Sequence, residues 1–291
     1  MKIVEDRLLP ALFVALASGL VSCGPAPSDD APAPAPETAQ APATRVVEAP
    51  HPDLHWTYEG NTGPSQWGVL SPEFSTCGEG TSQSPIDITG AESVTLSELN
   101  SEFGAAELMI VHHEHMADAI NNGHTIQINY TDGATIETEG KVYELHQYHF
   151  HGPSEHTVDG EHFPMEMHLV HQAEDGAFAV IGVFIEEGAH NAAFDPIWSN
   201  LPGQQGVENH FEHITVDVDD LLPEGRTTYR YEGSLTTPPC SEEVQWFLGT
   251  EAIQLAADQI AAFTAIVEDN NRPVQPLNGR ALLTDDIDEQ P

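Results

Sequence analysis

The chain has 291 residues, with 47 Asp and Glu against eight Lys and Arg, a net charge of -39, 16 histidines and three cysteines. That excess of negative charge repels phosphodiester backbones and anionic headgroups, so nucleic-acid binding and polybasic membrane attachment are both disfavoured. It suits saline or crowded surroundings, where counterions screen self-repulsion, and equally the ordinary drift of a solvated surface.

At the N-terminus Lys2 and Arg7 flank the start of "LLPALFVALASGLV", Leu8 to Val21, which has the length of a signal h-region and is too short to span a bilayer. The run closes in "LVSC", which resembles the bacterial lipobox. Residues 1–22 are therefore expected to be a removed signal peptide, with Cys23 lipidated so that the chain is anchored to a membrane without crossing it. The expected location is the periplasm or cell envelope. Residues 23–50, rich in Ala and Pro with little to bury, are expected to be an extended linker. Residues 51–284 then form one domain, followed by the acidic tail 285–291. Setting Cys23 aside leaves Cys77 and Cys240, an even pair in an exported chain and the pattern of one disulfide; two buried thiols are the alternative.

Within the domain the punctuation is that of a β protein. "NNGH" (Asn121 to His124), "TDG" (Thr131 to Gly133), "VDG" (Val158 to Gly160) and "EDG" (Glu174 to Gly176) separate short runs such as "HTIQINY", "KVYELHQYHFH", "MEMHLVH" and "FAVIGVFI". β-Branched and aromatic runs joined by tight turns predict a mostly β fold built on one large, predominantly antiparallel, twisted sheet with a few short peripheral helices. The clearest helix signal comes late, where Ile253, Ala256, Ala257, Ile260, Phe263 and Val267 recur at helical spacing before Arg272-Pro273.

The histidines are the candidate chemistry. Alternation along a strand puts His149 and His151 on one face, and the strand after the "VDG" turn offers His168 on a common face with Glu166 and Val170. Three neutral imidazoles leave a tetrahedral zinc with one open position, the arrangement of a catalytic site. A lone H-x-H is a weak signal, and "HHEH" at His112 to His115 is a rival cluster that reads as a solvated turn.

"QYHFHGPSEHTVDG", "MEMHLVH", "NNGHTIQI", "QSPIDI", "GSLTTPPCSEEVQW" and "NNRPVQPLNGR" together resemble the α-class carbonic anhydrases, particularly exported bacterial members, in family order from His55 to Arg280. The resemblance implies that fold, a Zn(2+) cofactor and the reversible hydration of carbon dioxide to bicarbonate and a proton by a zinc-bound hydroxide. It makes His149, His151 and His168 the zinc ligands and Glu166 a carboxylate that fixes a ligand tautomer. Thr236 would accept a hydrogen bond from the hydroxide and pass its own proton to Glu155. Val170, Val180, Leu235 and Trp246, with Thr237 beside them, would form the carbon dioxide pocket. His124 would be the proton shuttle, with Tyr58, Asn122 and Gln127 ordering the waters between; Gln127 stands where relatives often have asparagine. His146 and His156 are left as supporting residues. Gly152 departs from relatives that carry a larger residue after the second histidine. The resemblance also allows a homodimer.

Overall fold

The computed structural model describes residues 55–96, 99–102, 105–113, 124–130, 133–202 and 208–285. The expected signal peptide, Cys23, the linker, Asn122, His115 and all but the first residue of the acidic tail lie outside them.

Alternating apolar residues build the sheet. Among the described residues 13 strands form one sheet, whose main path runs Glu208–Asp217, Ala105–His113, Thr125–Asn129, Lys141–His151, Met165–Gln172, Phe178–Glu187, Glu242–Gly249, Thr228–Ser234, Leu283–Asp285, Glu92–Val94. Most neighbours are antiparallel, as predicted. Phe178–Glu187 pairs in parallel with both Glu242–Gly249 and Ile253–Leu255, and Leu283–Asp285 does so with Glu92–Val94. The "VDG" turn joins Thr157–Val158 to Glu161–His162, with positive φ at Asp159 (49°) and Gly160 (82°) as a tight hairpin turn requires.

The sheet buries both faces. Ile126, Ile128, Tyr148, Phe150, Met167, Leu169 and Val183 pack into the larger core on one side. Ile86, Val180, Phe184, Tyr231, Val244 and Trp246 form a second apolar cluster. Cys77 and Cys240 form the expected disulfide, with Cα atoms 5.0 Å apart, packed with Trp56, Trp67 and Phe74.

The Lys141–His151 strand changes phase midway. Tyr143 and Leu145 face the larger core, but so do Tyr148 and Phe150, so one residue between them is extra. The pairing register locates it: His171 stands opposite Leu145 and Val170 opposite Gln147, which leaves exposed His146 as a β-bulge. A bulge re-aims every side chain beyond it. Without this one, Gln147, His149 and His151 would share the core side with Tyr143 and Leu145.

The late helix is shorter than its sequence period suggests. Ile253 lies in a strand, because Ile253–Leu255 alternates buried, exposed, buried along the free edge offered by Phe178–Glu187. The helix is Ala257–Thr264, and its start is fixed by Gln259, whose Oε1 accepts from the Ala256 N–H at 3.1 Å. Phe263 and Val267 are buried as the period predicts, whereas Ala257 is exposed.

Candidate metal centre

Two antiparallel strands set the centre. His149 stands directly opposite His168 and His151 directly opposite Glu166, so all four side chains emerge on one face. The three rings lie with centroids 5.0 Å (His149 and His151), 5.3 Å (His149 and His168) and 4.6 Å (His151 and His168) apart. One nitrogen from each lies within 4.8 Å of the other two.

Each ring is oriented from behind by an acceptor. His149 Nδ1 donates to Gln147 Oε1 (2.8 Å), His151 Nδ1 to the Asn270 carbonyl (2.7 Å) and His168 Nε2 to Glu166 Oε1 (2.8 Å). A neutral imidazole that donates through one nitrogen presents a lone pair on the other. The donors facing one another are thus His149 Nε2, His151 Nε2 and His168 Nδ1. Space for the Glu166 carboxylate comes from Gly182, in register with His168; a Cβ there would collide with Leu248 and stand 3.1 Å from Glu166 Oε1.

The residues fit a cation. Among the described residues His151 Nε2 is buried without a hydrogen-bond partner, and so is Glu155 Oε2, which lies 3.5 Å from it and 3.9 Å from His168 Nδ1. Lone pairs converging in a buried space are unfavourable unless positive charge sits among them. Without it, burial lowers the His151 pKa against the pull of Glu155. At His168 burial also opposes charge, but Glu166 outweighs it and the pKa is raised. Burial opposes the charge of Glu166 too, yet His156 and His168 hold its pKa well below the ordinary value.

Glu155 Oε1 accepts from the Arg272 backbone N–H at 2.8 Å. Thr236 is buried, and among the described residues no hydrogen bond joins it to Glu155, whose Oε2 is the free oxygen. Val180 and Trp246 are buried and Val170 and Leu235 half-buried in one apolar cluster, with Trp246 edge-on to His168 at 4.9 Å. Thr237 accepts from the Cys240 N–H at 2.8 Å. His124, the expected proton shuttle, is 7% exposed: it stacks on Trp56 at 3.8 Å and meets the edge of Tyr58 at 5.8 Å. Burial and the charge of Glu155 push the Tyr58 hydroxyl pKa well up, which keeps it a donor. Gln127 is buried opposite His149 and donates to Asn129.

Two important residues escape local sequence reasoning. Asn270 gives its carbonyl to His151, accepts from the Gly152 N–H (2.8 Å) and donates to the carbonyls of His124 (2.7 Å) and Phe150 (3.0 Å), clipping both histidine segments together. Arg272, 1% exposed, reaches the carbonyls of Ser84 (2.7 Å) and Cys77 (3.0 Å) with its guanidinium. Gln147 carried a usable signal, being two residues before His149 on the same face.

Three oriented imidazoles, with one nitrogen of each within 4.8 Å of the other two, make a cluster able to hold a metal ion. The family model for eukaryotic-type carbonic anhydrase matches residues 62–286. The carbonic anhydrase of Klebsiella pneumoniae is 43% identical over 233 residues, spanning 79% of this chain and 90% of that one; that of Nostoc sp. is 40% identical over 231 residues, spanning 79% and 86%. The solved α-carbonic anhydrase of Thermovibrio ammonificans, in complex with the inhibitor sulfanilamide, matches with a TM-score of 0.73 at 40% identity, covering 79% of this chain and 99% of that one. The chain belongs to the carbonic anhydrase family, and its fold is the α-carbonic anhydrase fold.

Proposed function

We propose that the chain hydrates carbon dioxide reversibly at a zinc ion held by His149 Nε2, His151 Nε2 and His168 Nδ1. Zinc on three neutral imidazoles lowers the pKa of a bound water to about 7 and so supplies a nucleophile near neutral pH. The protein does the rest. Val170, Val180, Leu235 and Trp246 offer carbon dioxide, which has no net dipole, an apolar wall beside His168. Glu155 Oε2, buried and without a hydrogen-bond partner among the described residues, suits the Thr236 hydroxyl proton; a threonine that donates there must accept on its other side, which selects a nucleophile carrying a proton. His124 takes the released proton and returns it to solvent, with Tyr58 and Gln127 ordering the water between them. The acidic chain is exported, anchored through a lipid on Cys23, and works in the periplasm or cell envelope.

The observation that carries this reading is the convergence of three ring nitrogens whose opposite nitrogens are all tied to acceptors. Zinc content and carbon dioxide hydration measured together on purified protein test it. One zinc per chain is expected, with activity lost to a chelator and restored by zinc. Full activity in demetallated protein would overturn it.

A further inference from the structure

The bulge in Lys141–His151 does more than turn His149 and His151 away from the larger core. Leu145 before it and Tyr148 after it both face that core, so the two residues between them, His146 and Gln147, both emerge on the metal face. A regular strand would place only one side chain there. The additional one is an exposed imidazole, and its ring makes no hydrogen bond among the described residues.

Polar groups pave the face between this ring and the metal donors. Gln127 stands opposite His149 and Asn129 opposite Gln147, so the three amides are neighbours on that face, and Gln127 donates to Asn129. Beyond them the Tyr130 N–H donates to the His146 carbonyl at 2.9 Å, which carries the same strand pairing on to the bulge. An amide both donates and accepts, so the three can hold a file of water molecules. His146 lies three residues from His149, no more than about 10 Å along the strand. Its far side opens on a surface cleft of about 960 Å³, lined also by Glu144, Gln172 and Glu174, where a dissolved base has room to reach the ring. His124 is placed differently. Buried and stacked on Trp56, it must break that contact to meet bulk solvent, whereas His146 needs no such movement.

We propose that His146 is a second proton exit from the metal centre: waters held by Gln127, Asn129 and Gln147 carry the released proton to its ring, and the ring gives it to a base in the cleft. Only a proton moves. One ring nitrogen accepts it from the last water, and its loss to the base leaves the imidazole neutral again. The origin of the proton rests on the carbon dioxide hydration proposed above; the water file does not.

Two measurements on the full chain test this. In weakly buffered solution His124→Ala keeps a residual turnover, and adding His146→Ala should lower it further by about tenfold, less than the hundredfold of a closely placed acceptor because the file is longer. Concentrated imidazole should bring the double variant back to the level of the single one, and both should bind zinc equally tightly. A crystal structure of the metal-free wild type should show waters hydrogen-bonded in succession along Gln127, Asn129 and Gln147 to a His146 ring nitrogen. Equal turnover of H124A and H124A/H146A in weak buffer would overturn the proposal, and so would a loss that imidazole leaves in place or that comes with weaker zinc binding. A track closed by side chains in the crystal would overturn it too, even if the double variant fails to fold. A wild type without zinc or hydration activity would count instead against the proposed function, and the water file would then decide the route by itself.

Discussion

His149 and His168 face each other across neighbouring antiparallel strands, with rings 5.3 Å apart and nearly perpendicular, at 87°. That geometry depends on register alone. A slip of one residue in either strand would send one of the two rings into the apolar core.

The bulge at His146 therefore gives the first prediction. His146→Ala removes an exposed side chain and should alter stability by no more than about 0.5 kcal/mol, with zinc affinity unchanged. Deleting His146 closes the bulge, turns Gln147, His149 and His151 toward the larger core and should abolish zinc binding. Zinc titration of both proteins checks this; a deletion variant that binds zinc like wild type would refute the role given to the bulge.

His124→Ala should slow carbon dioxide hydration in weakly buffered solution by about a hundredfold, the scale of positioned acid–base catalysis, and added imidazole should restore much of the rate. Stopped-flow measurement with and without imidazole separates the outcomes. Turnover that ignores the substitution removes His124 from the proton path.

His171 is fully buried, its Nδ1 donates to the Leu169 carbonyl at 3.0 Å, and burial pushes its pKa from 6.5 down to about 3. The unfolded chain binds a proton there near pH 6.5 that the folded chain refuses until near pH 3. Its contribution to stability is thus complete above pH 6.5 and is lost steadily as the pH falls toward 3. Across that window His171→Gln should flatten the dependence of unfolding free energy on pH by about 1.4 kcal/mol per pH unit. Urea melts of both proteins from pH 7 to pH 4 measure it, and parallel curves would contradict it.

The Cys77–Cys240 disulfide joins residues 163 apart in sequence. On the chain-entropy model, closing so long a loop lowers the entropy of the unfolded chain, and replacing both cysteines by alanine should cost about 2–5 kcal/mol. Denaturant midpoints of the double variant against oxidised wild type test this. Matching midpoints would show that the link restrains nothing that matters to folding.

What the sequence made legible was whatever depends on a period of two. His149 with His151, and Glu166 with His168, fall on common faces by alternation, and the "VDG" hairpin turn was readable from its residues. The phase change at His146 was not, because a bulge exists only relative to a partner strand. Ile253 lies in a strand and not in the helix because its apolar spacing suits both periods, and the open edge of Phe178–Glu187 decides between them. Asn270 and Arg272 act through main-chain and long-range bonds that leave no local pattern. Likewise, "SEH" gave no hint that His156 would stand between Glu166 and Tyr231.

Of the three acceptors behind the rings, Gln147 and Glu166 lie two residues from the histidines they orient, while the Asn270 carbonyl lies 119 residues beyond His151. A ribosome making this chain releases all three imidazoles long before the group that aims the middle one. The pocket therefore cannot mature piecemeal during synthesis. It can close around an ion only after synthesis has passed Asn270, 119 residues beyond the middle histidine.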